Sequence, residues 1–191
     1  QFPDAYHWKE FNETAPHTTA VLHTSFYFAG NRDSEEDALW IDGLKVFKLK
    51  GAQWWHTCDQ SSVQASLGEY VESNGDFNLA VSYESFDPSS CCALSSINGY
   101  DGNYNNDGCM VSVSLTMPHS QDSMAVGYSS NIQSDISNEM FGFGGLTIEL
   151  SGVGATVNVV DNPGDRDWSN MAATCGMHGP FGRYGSIEDD S

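Results

Sequence analysis

Positive charge is scarce in this chain. Seven Lys and Arg stand against 26 Asp and Glu, for a formal net charge of −19. A surface that acidic repels phosphate backbones and anionic headgroups, so neither nucleic acid nor an anionic membrane is expected as a partner. Long apolar runs are absent as well, and nothing approaches the ~20 residues of a membrane-crossing helix. No stretch holds i, i+3, i+4 apolar spacing over the ~11 residues of an average helix. The sequence contains no G-x-S-x-G, no H-E-x-x-H and no P-loop, so common hydrolase and nucleotide signatures are missing. No C-x-x-C pair exists, which argues against a zinc site of that kind.

What remains is a strand-forming composition. In 191 residues, 39% hydrophobic and 12% aromatic, there is material for one core and hardly for two. Residues 20–28, Ala-Val-Leu-His-Thr-Ser-Phe-Tyr-Phe, have the β-branched and aromatic content of a strand. Residues 38–49 read as a hairpin turning at Asp42-Gly43, a composition that tight turns favour. Further strands are expected at 63–70, 77–83, 110–117, 124–128, 146–150 and 157–160. Turn signals separate them at Asn74-Gly75, Asp87-Pro88, Asp107-Gly108 and Pro118. Many short strands between turns predict an all-β fold, a β-sandwich or jelly roll with long loops. The expected organisation is an extended, docked N-terminal lead-in over 1–15, one sandwich domain over 16–160 and an irregular glycine-rich C-terminal tail over 161–191.

Five cysteines, Cys58, Cys91, Cys92, Cys109 and Cys175, are disulfide candidates. Two bridges leave one thiol over, free or bonded to another chain. Adjacent Cys91 and Cys92 are expected to take different partners, and a Cys92–Cys109 bond would staple the loop between them. Asn12-Glu13-Thr14 is a glycosylation sequon, with Asn12 the acceptor if the protein is secreted. The chain opens on Gln1 rather than Met, which reads as a processed N-terminus or a fragment. Disulfide candidates, acidity and scarce Lys together predict an extracellular protein.

An internal echo runs at a spacing of 102 residues. Pro16-His17-Thr18 matches Pro118-His119-Ser120, Phe26 matches Tyr128, Asp33 matches Asp135, and Gly43-Leu44-Lys45-Val46 matches Gly145-Leu146-Thr147-Ile148. Identities number five over 31 aligned positions, and the shared order is strand, acidic loop, strand. Two such units lying side by side in one sheet would bring their acidic loops to the same edge. There Asp33, Glu36 and Glu139 would offer the oxygen ligands that Ca²⁺ takes. A second calcium candidate is 101–108, where Asn103, Asn105 and Asp107 precede Gly108 as in the first half of a calcium loop. Its twelfth position is Ser114 rather than a bidentate acid, and Asn, Asp and Gly also make a plain turn.

Catalysis has a weaker footing. A jelly-roll glycosidase needs two carboxylates ~5–9 Å apart across a cleft, and Glu36 with Glu139 is the pair available. A highly charged loop does not raise a carboxyl pKa as an acid catalyst requires, so no enzyme is expected. His17 and His119, each after a proline at a strand start, are expected to be hydrogen-bonded structural histidines. Trp54 and Trp55 point to opposite faces of an extended segment, so at most one is buried by the same sheet. The exposed one, with Tyr104, is a candidate contact for a sugar ring or a partner. Trp40, alternating within its strand, is expected in the core.

The run from Pro16-His17-Thr18 through Phe26-Tyr27-Phe28 and the acidic loop to Trp40-Ile41-Asp42-Gly43-Leu44-Lys45-Val46 resembles a known domain. It is a β-sandwich domain of secreted and cell-surface proteins of ciliates, algae and other protists. The stretch from Pro118-His119 through Asn138-Glu139-Met140-Phe141-Gly142-Phe143 to Ile148 is similar to that domain's closing strands. The likeness covers residues 16–150 and implies extracellular use: adhesion, surface coats or filament-like appendages such as algal flagellar hairs (mastigonemes). The domain's loop carries Ser-Trp-Asp-Gly-Glu where this chain has Asp33-Ser34-Glu35-Glu36-Asp37, without the Trp and Gly, a departure that puts the carry-over of any loop-based ligand site in doubt. The expected function is a secreted structural or adhesive subunit that self-associates into an oligomer or polymer through its lead-in or tail. A Ca²⁺-dependent carbohydrate-binding module, with glycans as partners, is the second expectation, and a jelly-roll glycosidase the third.

Overall fold

The computed structural model describes residues 6–11, 16–30, 35–51, 58–72, 76–86, 108–131, 139–152, 157–160, 173–175 and 179–181. The strands are β1 (Tyr6–Phe11), β2 (Thr19–Gly30), β3 (Glu36–Ile41), β4 (Leu44–Gly51), β5 (Val63–Leu67), β6 (Asn78–Phe86), β7 (Gly108–Pro118), β8 (Met124–Ser130), β9 (Glu139–Ser151), β10 (Val157–Val160), β11 (Ala173–Cys175) and β12 (Gly179–Phe181). One helical turn, α1 (Glu69–Glu72), follows β5. Two five-stranded antiparallel sheets, ordered β1-β8-β3-β4-β5 and β10-β9-β2-β7-β6, pack as a β-sandwich, and β11 pairs with β12.

Alternation sorts each strand into an inward and an outward face. Along β7, Cys109, Val111, Val113, Leu115 and Met117 are buried while the residues between them are partly exposed. In β2 the inward set is Ala20, Leu22, Thr24 and Phe26. The first sheet answers with Leu39, Ile41, Phe47, Leu49, Met124, Val126 and Tyr128. Phe26 meets Phe47 at 5.3 Å and Tyr128 at 5.6 Å between ring centroids, and Tyr128 stacks on Phe143 of β9 at 4.0 Å. The β3–β4 turn has both central residues in the left-handed region, Asp42 at φ 50° and Gly43 at φ 82°, with Ile41 paired to Leu44. A two-residue loop of that geometry is the primed type I turn that Asp-Gly favours.

Four expectations need correction. The matched units do not lie side by side in one sheet: β2 is in the second sheet and β8 in the first. Facing strands bring the matched inward rings, Phe26 and Tyr128, together across the two layers of the core. The strand expected over 63–70 ends at Leu67, where Gly68 accepts a hydrogen bond from the Val71 amide at 2.9 Å and Val71 turns into the core. Strand β9 is 13 residues long, its first half concealed in the sequence by glycines that strands usually avoid. The tail, expected to be irregular, contributes the β11–β12 pair.

Cys109 bonds Cys58, with Cα atoms 5.2 Å apart, which rules out the Cys92–Cys109 staple. Cys109 is fully buried on the inward face of β7, and the chain leading into β5 carries Cys58 to it. The bond therefore joins the second sheet to the edge of the first. Closing a separation of 51 residues is worth about 4 kcal/mol in the chain-entropy account.

A bulge interrupts β9. His23 pairs with Thr147 and Ser25 with Gly144, so Thr24 faces two residues, Gly145 and Leu146. Gly145 takes the left-handed conformation, φ 64°, that such bulges use. An Ala there meets no atom within 4 Å, so its cost is conformational alone, about 1–2 kcal/mol. At Gly68 a Cβ would lie 1.9 Å from the Lys45 carbonyl oxygen, which belongs to the main chain and cannot swing away. Gly68→Ala is therefore expected to lower the urea midpoint more than Gly145→Ala, and the reverse order would contradict this account of the two glycines.

Candidate functional site

The β2–β3 and β8–β9 connections leave the sandwich at one end. Gly30 pairs with Glu139, the Glu36 amide donates to Asn131 Oδ1 at 2.5 Å, and the Asn131 amide donates to the Glu36 carbonyl at 3.1 Å. Of the proposed calcium ligands, Glu36 already receives the Lys45 ammonium on its carboxylate. Glu139 is placed by its backbone alone, and Asp33, Asn103, Asn105 and Asp107 lie outside the described residues. So do Asn12, Trp54, Trp55, Tyr104, Cys91 and Cys92, while Cys175 is placed by backbone pairing with Gly179. Among the described residues no group of three or more His, Cys, Asp or Glu is arranged to hold a metal ion.

The two Pro-His dipeptides meet. His17 Nε2 lies 2.6 Å from His119 Nδ1, and His119 Nε2 lies 2.9 Å from Asp42 Oδ2. The ring planes differ by 8° with centroids 4.9 Å apart, a separation that fits two imidazoles meeting edge to edge in one plane through their hydrogen bond. A carboxylate only accepts, so His119 Nε2 donates to Asp42. In a neutral imidazole that leaves His119 Nδ1 to accept from His17 Nε2–H. Asp42 is held from both sides, its amide donating to the Ala125 carbonyl at 2.8 Å and its Oδ1 accepting from the Ala125 amide at 2.7 Å. Both histidines are only 6% exposed, so the chain His17–His119–Asp42 fastens the two units to the β3–β4 turn.

Trp40 is not in the core. Leu39 and Ile41 point inward, so alternation sends Trp40 outward, where it is partly exposed and its Nε1 donates to Ser129 Oγ at 2.9 Å. With Gly43, Leu44, Lys45, Lys48, Glu36 and Glu69 it lines a pocket of about 210 Å³ on the outer face of the first sheet. Lys45 Nζ stands 5.3 Å from the Trp40 ring centroid, and Lys48 pairs with Glu69 at 3.4 Å. Sequence reasoning missed this site, although the inward–outward alternation of Leu39, Trp40 and Ile41 was the signal for it.

The outer face of the second sheet carries a shallow groove of about 380 Å³ floored by His23, Ser25, Ser82, Ser112 and Ser114, with the Ser25 and Ser112 hydroxyls 3.0 Å apart. Tyr27 lies on the same face of β2 as His23 and Ser25, and its partner on β7, Met110, pairs in turn with Glu84 of β6. Matched against models of protein families, curated proteins and solved structures, the chain finds no counterpart.

Burial pushes the Tyr27 hydroxyl above its ordinary 10.0, partly offset by a hydrogen bond with Ser25 and reinforced by the charge of Glu84. Burial likewise raises Tyr83, with Asp59 adding repulsion. Folding thus favours the neutral phenols. Their contribution to stability is complete below the unfolded tyrosine value of about 10 and is lost as pH rises through the higher folded values. Tyrosinate absorbance should show these two groups titrating above the ordinary value of 10.0, and Tyr27→Phe should blunt the alkaline loss of stability. An unchanged alkaline denaturation profile in that variant would contradict the assignment.

Proposed function

We propose that this chain is an extracellular structural or adhesive subunit that associates with copies of itself by exchanging β1. The observation that carries the reading is the way β1 is held. All six of its residues pair with the edge of β8, while the next strand in sequence, β2, belongs to the other sheet. Trp8 remains 40% exposed, and Phe11 packs only at the fringe of the core. Main-chain hydrogen bonds supply most of such a contact, and they are equally satisfied when the strand comes from a neighbour. The disulfide between the sheets and the resemblance to protist surface domains support an extracellular setting. With a net charge of −19, self-association should strengthen as salt screens the repulsion.

Glu10 and Ala125 are partners in the β1–β8 register. When a Glu10→Cys chain is mixed with an Ala125→Cys chain, exchange predicts a disulfide between the two chains, and deletion of 1–11 predicts loss of assembly by light scattering. A bond that forms only within a doubly substituted chain would sink the proposal.

A second reading is a calcium-dependent carbohydrate-binding module, favoured by the departure of both acidic connections from one end of the sandwich. Calcium held there would stabilise the folded state by mass action. The melting temperature should then rise with calcium and fall back with chelator, and a value indifferent to millimolar calcium would remove the ion.

A further inference from the structure

We infer that the pocket around Trp40 binds one uncharged sugar ring. The inference stands apart from strand exchange and requires no calcium. Three of the seven Lys and Arg lie on β4, at Lys45, Lys48 and Lys50, and two of them line this pocket. Each faces a carboxylate, Lys45 with Glu36 and Lys48 with Glu69. Two cations and two anions cancel, so the pocket is locally neutral on a chain whose net charge is −19.

That balance selects the ligand. An anionic sugar would meet Glu36 and Glu69, and a cationic one would meet Lys45 and Lys48. Neutral hydroxyls both donate and accept, so they can give a proton to the carboxylates and accept from the ammonium groups. The indole supplies the remaining element, a flat apolar surface for the C–H face of a ring. Its Nε1–H is used on Ser129, which fixes the ring in place, with the Lys45 ammonium 5.3 Å from the ring centroid and so within reach of a hydroxyl on a sugar lying against the indole. Leu44, 37% exposed, extends the apolar wall. At about 210 Å³ the pocket is below the roughly 300–1,000 Å³ of sites for drug-sized molecules and suits a single ring.

The Lys48–Glu69 pair does not explain itself as a stability device. Glu69 has a side chain 83% exposed and holds Lys48 at 3.4 Å, a surface geometry of little energetic worth. Glu69 lines the pocket from the turn that Gly68 and α1 create.

The test is an NMR titration of the full ¹⁵N-labelled chain with glucose, galactose, mannose and N-acetylglucosamine, with glucuronate and glucosamine as charged comparisons. The Trp40 indole signal, assigned through Trp40→Phe, is the readout. At least one neutral sugar should move it saturably, with a Kd on the order of millimolar as expected of so small a ligand, and chelator should not alter it. Glu69→Gln, a change at an exposed residue, should weaken binding several-fold while leaving the melting temperature in place. A Trp40 signal unmoved by every neutral sugar, tighter binding of a charged sugar, or full affinity in Glu69→Gln would each overturn the inference.

Discussion

A phenol in the middle of an apolar core has to be hydrogen-bonded, and the Tyr128 hydroxyl meets that demand across the two layers. Its partner at 2.6 Å is Thr24 Oγ1, which also lies 3.1 Å from the Gly144 carbonyl. The carbonyl can only accept, so Thr24 spends its single proton there and takes one from Tyr128. That carbonyl lies where the β9 bulge departs from the regular ladder, next to left-handed Gly145. Strands from both sheets thus converge on one buried polar point, with Phe26 and Phe143 packed around the ring. Leaving any member unpaired would cost about 1–3 kcal/mol. Because a one-residue slip turns every side chain to the opposite face, the same link pins the register of β2 against β9.

Much of this was legible in the residues. Asp42-Gly43 between apolar runs specified the hairpin, and alternation in 110–117 specified β7, because turn chemistry and period two are local properties. The parts that were not legible depend on long-range pairing. Glycines at 142, 144 and 145 weaken the strand signal ahead of 146, yet a bulge uses one of them and pairing with β2 accommodates the others. The echo at 102 residues was visible, but whether its strands sit beside or opposite one another depends on which faces are buried. Cys109 had four candidate partners in sequence, and only the sandwich shows that Cys58 reaches it.

The candidate sites divide along the same line. His17 and His119 were read as structural, and their meeting 2.6 Å apart follows from the same crossing of the units that buries Phe26 against Tyr128. Trp40 was expected in the core as an alternating strand residue, but alternation with Leu39 and Ile41 puts it on the outward face. Size and hydrophobicity suggest burial, whereas position on the pleat decides it. Glu36 looked like a metal ligand within an acidic run. Its carboxylate also receives the ammonium of Lys45, nine residues away on β4, a partner that the run itself does not reveal.

The Cys58–Cys109 bond has a mechanical consequence. Tension applied along the chain passes straight across the bond, so β5, α1 and β6, which lie between the two cysteines, carry none of it. A separation of 51 residues amounts to about 170 Å of extended chain that force cannot pay out. Stretched in a matrix or between two surfaces, the domain can lengthen only through its flanking strands, and the bonded segment keeps its loop closed as the sandwich opens.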